Sequence, residues 1–266
     1  MSESLVWSQR EGAVQCITLN RPEALNSFNG ALHEALIAAL NGAAGEASVR
    51  AVVLTGAGRA FSAGQDLHDP WVQPAPAGEP AQDMSQVLLR FYRPLMQRLQ
   101  SMPVPVVAAV NGVAAGAAVS IALGCDLVVA ARSASFLQAF SRIGLVPDAG
   151  GTWLLPRLVG RARALGLAML ADKLPAAEAE RIGLIWKCVD DAALMPEALA
   201  LATRLAALPT RALVATRHAM DASQALDLDG AIEMEARLQA QLGSSHDYLE
   251  GVAAFAAKRA PNFTDR

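Results

Sequence analysis

The stretch Asn111-Gly112-Val113-Ala114-Ala115-Gly116-Ala117-Ala118, running on through little but Val, Ser, Ile, Ala and Leu to Cys125-Asp126, decides how this chain is read. It follows the apolar run 104–110, whose unbroken hydrophobicity suits a strand covered on both faces. Side chains this small let a helix, expected over about 116–124, begin hard against other backbone with its first N–H groups uncovered. Such a start suits a negatively charged oxygen. A second Gly-bearing turn, Phe61-Ser62-Ala63-Gly64-Gln65-Asp66-Leu67, also comes after an apolar run. A lone carboxylate, Asp148, stands in the Gly-rich turn 144–151.

Working outward, strands and helices alternate. Residues 5–8 and 13–19 pattern as a strand pair around Glu11-Gly12. The loop 20–27 leads to a helix expected over about 29–45, and 50–55 is an apolar strand closed by Gly56-Ala57-Gly58. The Pro-, Ala- and Gly-rich segment 70–83 cannot propagate a helix or a central strand and is expected to be a surface loop. A long helix is expected from about 85 to 101, with Phe91, Leu95, Leu99 and Met102 on one face. Strands are expected at 106–110, 127–131 and, as a short extended piece, 135–137. Buried, non-alternating strands between helices predict a parallel α/β architecture. From about 151 the pattern is nearly all helical, with one short strand at 185–189. Residues 191–259 predict three or four amphipathic helices, and Pro209-Thr210 reads as a break with Thr210 as the cap.

Composition narrows the function. The 266 residues suffice for one large domain, or one domain with a helical appendage, and for a substantial core. Lys+Arg total 22 against Asp+Glu 25, with no basic block, which argues against a nucleic-acid partner. Cys16, Cys125 and Cys188 are too far apart for a metal or redox motif and read as reduced, buried thiols, which suits a cytoplasmic location. No secretory leader is expected from the charged start of the chain, and no apolar run is long enough for a membrane span. His33, His68, His218 and His246 lack ligand-like spacing, so no metal is expected.

Two turns offering peptide N–H groups, at Gly64-Gln65 and Gly116-Ala117, would form an oxyanion hole if they met. The loss of one donor from such a hole typically costs about 2.7–4 kcal/mol of transition-state stabilisation. The plainer reading is a pair of glycine-bearing turns at strand ends. Neither matches a dinucleotide or P-loop pattern. Asp148 reads as a proton-transfer group or as the N-cap of a helix beginning near Gly151. Ser62 and Ser120 have no histidine nearby in sequence for a nucleophile arrangement. His68 and Asp69 follow the first turn, as substrate contacts or as solvated loop. Arg157, Arg161 and Arg163 form a basic cluster, read as an exposed or subunit-contact face.

Five motifs lie in order between Leu19 and Phe263: LNRPEALNSFN, LTGAGRAFSAGQDL, AAVNGVAAGAAVSIALGCDL, LVPDAGGTWLLPRLVG and YLEGVAAFAAKRAPNF. Together they resemble the crotonase (enoyl-CoA hydratase/isomerase) superfamily, and most nearly its isomerase branch in phenylacetate breakdown. The resemblance implies a spiral of ββα repeats over 1–195 and a helical trimerisation region over 196–266. It implies a homotrimer or dimer of trimers, and a CoA thioester as substrate with no further cofactor. It assigns the thioester oxygen to the N–H groups of Gln65 and Ala117, beside Gly64 and Gly116. CoA would bend around the backbone of Ala24, Ala63, Asp66 and Leu67. Lys258 would approach its phosphates or is a solvated tail lysine. Phe91 and Tyr92 would line the acyl pocket or pack in the core.

Where hydratases of the superfamily carry two glutamates, this chain has Ser120 and Phe140. Asp148 falls where isomerases and dehalogenases carry their carboxylate, and Phe140, Leu145, Val146 and Trp153 are expected to desolvate it. The resemblance therefore implies isomerisation with Asp148 as acid and base. The expected reaction is ring-1,2-epoxyphenylacetyl-CoA to its oxepin form, or a 3,4 to 2,3 double-bond shift. A hydratase using one carboxylate, and a crotonase-like binding or assembly subunit without catalysis, stand as alternatives.

Overall fold

The computed structural model describes residues 4–73, 75, 78, 79 and 82–266. Of the segment 70–83 expected to be a surface loop, Pro74, Pro76, Ala77, Pro80 and Ala81 lie outside the described residues, and the remainder holds no regular element. The chain winds two sheets at once. The strands β1 (Val6–Glu11), β2 (Val14–Leu19) and β3 (Ala51–Gly56) enter the large sheet, with helix α1 (Gly30–Gly45) between β2 and β3. Next, β4 (Ala60–Ser62) opens the small sheet. The helical stretch α2 (Ser85–Val87), a π-helical turn (Leu88–Tyr92) and α3 (Arg93–Gln100) precede β5 (Val106–Val110) and β6 (Val113–Ala115). Helix α4 (Ala117–Leu123), β7 (Leu127–Ala131), β8 (Ser135–Leu137) and α5 (Gly151–Leu170) follow. Then come β9 (Leu174–Pro175), α6 (Ala176–Arg181) and β10 (Lys187–Val189).

The large sheet has the order β1-β2-β3-β5-β7-β10 and the small one β4-β6-β8-β9. Only the end pairs β1–β2 and β8–β9 are antiparallel. Thus β3–β4, β5–β6 and β7–β8 each give one strand to each sheet before a helical return, and the repeat is a ββα spiral. Continuous apolar strands are what such layering requires, and every residue of β3 and β5 is buried. Helix α7 (Leu194–Ala206) lies across β2, β3, β5 and β7, while α1 packs on β1, β2 and α3. Helices α8 (Thr210–Ser223), α9 (Leu228–Leu242) and α10 (His246–Ala256) complete the helical C-terminal part.

Several expectations change. The residues before the two Gly turns contain the short strands β4 and β6, and β9 is a further unforeseen strand. The helix expected over 85–101 contains the π turn. Thr210 caps nothing: Pro209 is the N-cap of α8, and the Thr210 hydroxyl is buried with no partner among the described residues. Cys16 and Cys125 are buried thiols, whereas Cys188 is half-buried. Among the described residues no single helix is long and apolar enough to cross a membrane.

Arg217 joins α8 to the spiral. Its guanidinium donates to Asp126 Oδ1 (2.5 Å) and Oδ2 (2.7 Å) and to the carbonyls of Gln100, Met102 and Val104. Asp126 Oδ2 also accepts the Val106 N–H at 2.7 Å, at the start of β5. Arg217→Ala is expected to lower unfolding free energy by about 1–3 kcal/mol, since it strands a carboxylate and several carbonyls. Arg217→Lys should recover only part, lacking the planar fork. A urea midpoint within error of wild type at unchanged m would refute this role.

Candidate active site

Strands β4, β6 and β8 are parallel neighbours, so their C-terminal ends share one edge of the small sheet. In open α/β sheets that edge is where ligands bind. Three segments leave it: Ala63-Gly64-Gln65, Gly116-Ala117, and Gln138 to Phe140. The first two abut. Gly64 has φ +88, and a Cβ built on it would lie 2.5 Å from Ala115 O and 3.6 Å from Ala117 N, so only glycine fits. Gly116, with φ 55 and ψ −130, turns the chain from β6 into α4 through a conformation that L residues avoid.

Both candidate donors point outward for stated reasons. The Gly64 carbonyl accepts the Phe28 N–H at 2.7 Å, and the Asp66 N–H donates to Phe28 O at 2.8 Å. In a trans peptide C=O and N–H are opposed, so the Gln65 N–H is turned away from Phe28. The Gly116 carbonyl accepts from Val119 N inside the first turn of α4, which turns the Ala117 N–H back out of the helix. Neither N–H has an acceptor among the described residues. All seven residues of α4 are buried, which explains its small side chains.

The third segment brings Phe140 and Asp148. A Cβ on Gly116 would lie 3.7 Å from the Phe140 ring, so this aromatic stands beside the Ala117 donor. Asp148 does not cap α5: the N-cap is Gly150, with no side-chain bond. The Asp148 carbonyl instead accepts from Gly151 N (2.7 Å) and from the Ser120 hydroxyl (2.9 Å). Ser120 is fully buried on α4 and ties the Asp148 loop to the donor helix. The chain then runs through Ala149 at φ 48, a left-handed conformation that costs a residue with a Cβ about 1–2 kcal/mol.

The Asp148 carboxylate is the unusual group. Its Oδ1 is buried without a hydrogen-bond partner among the described residues, and burial pushes its pKa from 3.8 up to about 7, against a weaker pull from its own backbone N–H. The desolvating set differs from that expected, because Leu145, Val146 and Trp153 are exposed and only Phe140 is buried. Tyr92 is also buried, and its phenol is raised well above its ordinary value by burial first and then by the charges of Asp148 and Asp69. The Tyr92 hydroxyl donates to Gln65 Oε1 at 2.8 Å. Sequence reading offered core packing or pocket lining for Tyr92; the π turn that places it leaves no signal in hydrophobic spacing.

The segments assigned to CoA also meet. Ala63 N donates to Leu25 O at 2.9 Å, next to Ala24. Asn26, fully buried at φ 53, accepts from Arg21 N and donates to the carbonyls of Ala57 and Ala60. Arg21 reaches Asp66 Oδ2 at 3.1 Å. Burial alone would raise the Asp66 carboxyl, but the His68 N–H and Arg21 outweigh it and hold its pKa low. Leu67 and His68 are exposed, and the buried Asp69 accepts from Gly30 N at the start of α1. Lys258 stands apart after α10, exposed at φ 51, with no hydrogen bond to this turn among the described residues. The basic cluster Arg157, Arg161 and Arg163 is exposed. Ser62 Oγ accepts the Gly64 N–H at 3.1 Å and so supports the turn. His246, Asp247 and Asp265 bring possible metal-ligand atoms within 4.8 Å of one another. Asp247 Oδ1, however, already accepts from Thr264 N and Asp265 N, which makes it a clasp for the tail.

The enoyl-CoA hydratase/isomerase family pattern matches residues 9–266. A 1,2-epoxyphenylacetyl-CoA isomerase of Escherichia coli K12 is 49% identical over 98% of both chains. A probable enoyl-CoA hydratase of Rhodobacter capsulatus is 50% identical over 94% of both. Among solved structures, a putative enoyl-CoA hydratase/isomerase from Mycobacterium abscessus superposes with a TM-score of 0.90 at 35% identity, covering 98% of this chain and 100% of the other.

Two expected outcomes follow from this geometry. Gly64→Ala forces a backbone clash that no rotamer relieves, so it should lower unfolding free energy by roughly 1–2 kcal/mol or more; a urea midpoint within error of wild type would contradict the clash. The second concerns pH. A raised folded-state pKa means that the stability tied to protonated Asp148 is complete below about 4 and is lost as pH rises through about 7. A rise of that size corresponds to a loss on the order of 4 kcal/mol. Asp148→Asn should therefore gain on wild type between pH 4 and 8 in urea unfolding, and parallel curves would contradict the burial argument.

Proposed function

The chain belongs to the enoyl-CoA hydratase/isomerase family, and within it we propose that this protein isomerises acyl-CoA thioesters, with Asp148 carrying the proton. The observation that carries the reading is one half-buried carboxylate with a buried, unpartnered Oδ1 and a pKa near 7, tied through Ser120 to the helix that offers the Ala117 N–H. The thioester oxygen would lie between the N–H groups of Gln65 and Ala117, which take the negative charge of the enolate. Asp148 removes the Cα proton and returns it two carbons further along, so a 3,4 double bond becomes 2,3 with no atom gained or lost. A carboxyl whose pKa lies near neutrality both accepts and releases that proton readily. The two-glutamate route to hydration lacks both its groups, because the places that would hold them are Ser120, committed to the Asp148 carbonyl, and Phe140, which exchanges no proton.

For a ring-1,2-epoxyphenylacetyl-CoA the same parts apply: the N–H pair polarises the thioester while Asp148 assists opening of the epoxide and rearrangement to the oxepin. The identity to a protein named for that activity supports this substrate. The name of the Rhodobacter relative favours hydration instead, by one carboxylate. The proposal also takes over the remaining assignments. CoA bends around Ala24, Ala63, Asp66 and Leu67, Lys258 meets its phosphates, and no other cofactor takes part. A homotrimer or dimer of trimers would cover the apolar residues that α9 and α10 expose, among them Leu228, Ile232, Leu249, Val252 and Phe255.

Incubation with a 3-enoyl-CoA and with epoxyphenylacetyl-CoA, followed by mass and ultraviolet spectrum, tests the reading. Isomerisation gives a new chromophore at unchanged mass, and a product heavier by water would overturn it. The base must be ionised, so kcat/KM should rise with pH through about 7. Asp148→Asn should lower kcat by roughly 10²–10⁴-fold. An Asn variant that turns over like wild type would favour a non-catalytic subunit.

A further inference from the structure

Tyr92 is a buried phenol that the proton transfer does not employ, and among the described residues its one hydrogen-bond partner is the side chain of Gln65. We infer that Tyr92 is a positioning residue, which holds the Gln65 peptide in its donor orientation through the Gln65 side-chain amide. The inference rests on the assignment of the Gln65 N–H as an oxyanion donor.

The placement is specific. Tyr92 closes the π-helical turn Leu88–Tyr92, in which the Arg93 N–H reaches back to Leu88 O, five residues away. Such turns recur at functional sites because they re-aim side chains within a helix. Consecutive residues Phe91 and Tyr92 are both buried there, and Tyr92 is directed at a loop 27 residues earlier in the chain. Its ring is wedged in place: the His33 ring stands nearly perpendicular to it with centroids 4.4 Å apart, and the Phe28 ring centroid lies 6.3 Å away. Neither His33 nitrogen has a partner among the described residues, so the wedge does not take the Tyr92 hydroxyl, and burial lowers its pKa to about 3, which keeps it neutral at working pH.

Phe28 links the two halves of the arrangement. Its ring supports Tyr92, and its N–H and C=O grip the peptides on either side of Gln65. Residue 65 is thus tied at its backbone by Phe28 and at its side chain by Tyr92. The remaining side-chain bond of Gln65, from Nε2 to Asp66 O, is long at 3.4 Å. Removing the Tyr92 hydroxyl leaves the side-chain amide oxygen of half-buried Gln65 without its donor, on the residue whose N–H must not move.

A double-mutant cycle with Tyr92→Phe and Gln65→Ala tests this, since each variant keeps the Gln65 peptide N–H and Phe keeps the ring. Two readouts are taken. In the free protein, amide hydrogen exchange of the peptide spanning residues 60–69 should quicken in Tyr92→Phe and no further in the double variant. In turnover of the acyl-CoA, Tyr92→Phe should lower kcat by roughly 10-fold with KM little changed, and the double variant should match Gln65→Ala. Effects of the two substitutions that multiply independently would mean that Tyr92 acts on the substrate directly, and would overturn the inference. Exchange that is unaltered in 60–69, or that quickens equally along α1 and α3, would do the same. Absence of turnover in wild type would instead defeat the functional assignment, while the exchange arm still decides the role of Tyr92.

Discussion

The hydrogen bond from Phe28 N–H to the Gly64 carbonyl governs more of this molecule than its size suggests. An amide has opposed poles, so fixing one in space fixes the other. The carbonyl is drawn toward the loop that follows β2, and the Gln65 N–H is turned the opposite way. Gly64 permits this only because nothing projects from its α-carbon toward Ala115. The small side chains of α4, the positive φ of Gly116 and the extra strands β4 and β6 all serve the same end. They bring a second peptide N–H, from Ala117, close beside the first. The pair is rigid because each member belongs to a peptide already spent on a backbone hydrogen bond.

Against that fixed pair the molecule sets a group that is costly to keep. A carboxylate with a buried, unpartnered oxygen does not stay ionised without penalty, and among the described residues no cation offsets that penalty at Asp148. The surrounding contacts hold the backbone, not the charge. Ser120 takes the Asp148 carbonyl, and Ala149 and Gly150 adopt left-handed conformations that bring the chain round into α5. Position is tightly specified while the carboxylate itself remains free to gain and lose a proton.

Much of this was legible in the residues. The long apolar strands, α1 and the two Gly turns were all expected, because each depends on a local rule that a single segment satisfies or breaks. The strands β4, β6 and β9 were not, since two or three residues cannot display a period and their partners are supplied by distant chain. The sequence around Leu88–Tyr92 scans as ordinary helix, and hydrophobic spacing is blind to one added residue in a turn. Ser120 attracted notice for what it is not, and its bond to a carbonyl 28 residues away has no local signature. The same holds for Leu145, Val146 and Trp153, whose apolar character suggested burial that the fold does not provide.

The π turn gives the site a dependence on residue count as well as on residue identity. Each residue advances an α-helix by about 100°. A deletion of one residue within 88–92 that restored regular α geometry would swing the phenol off Gln65 while leaving every functional side chain encoded. Divergence by single-residue insertion or loss is therefore a sharper instrument here than substitution. A chain that kept every polar group but lost that one residue would no longer bring the phenol to the Gln65 loop.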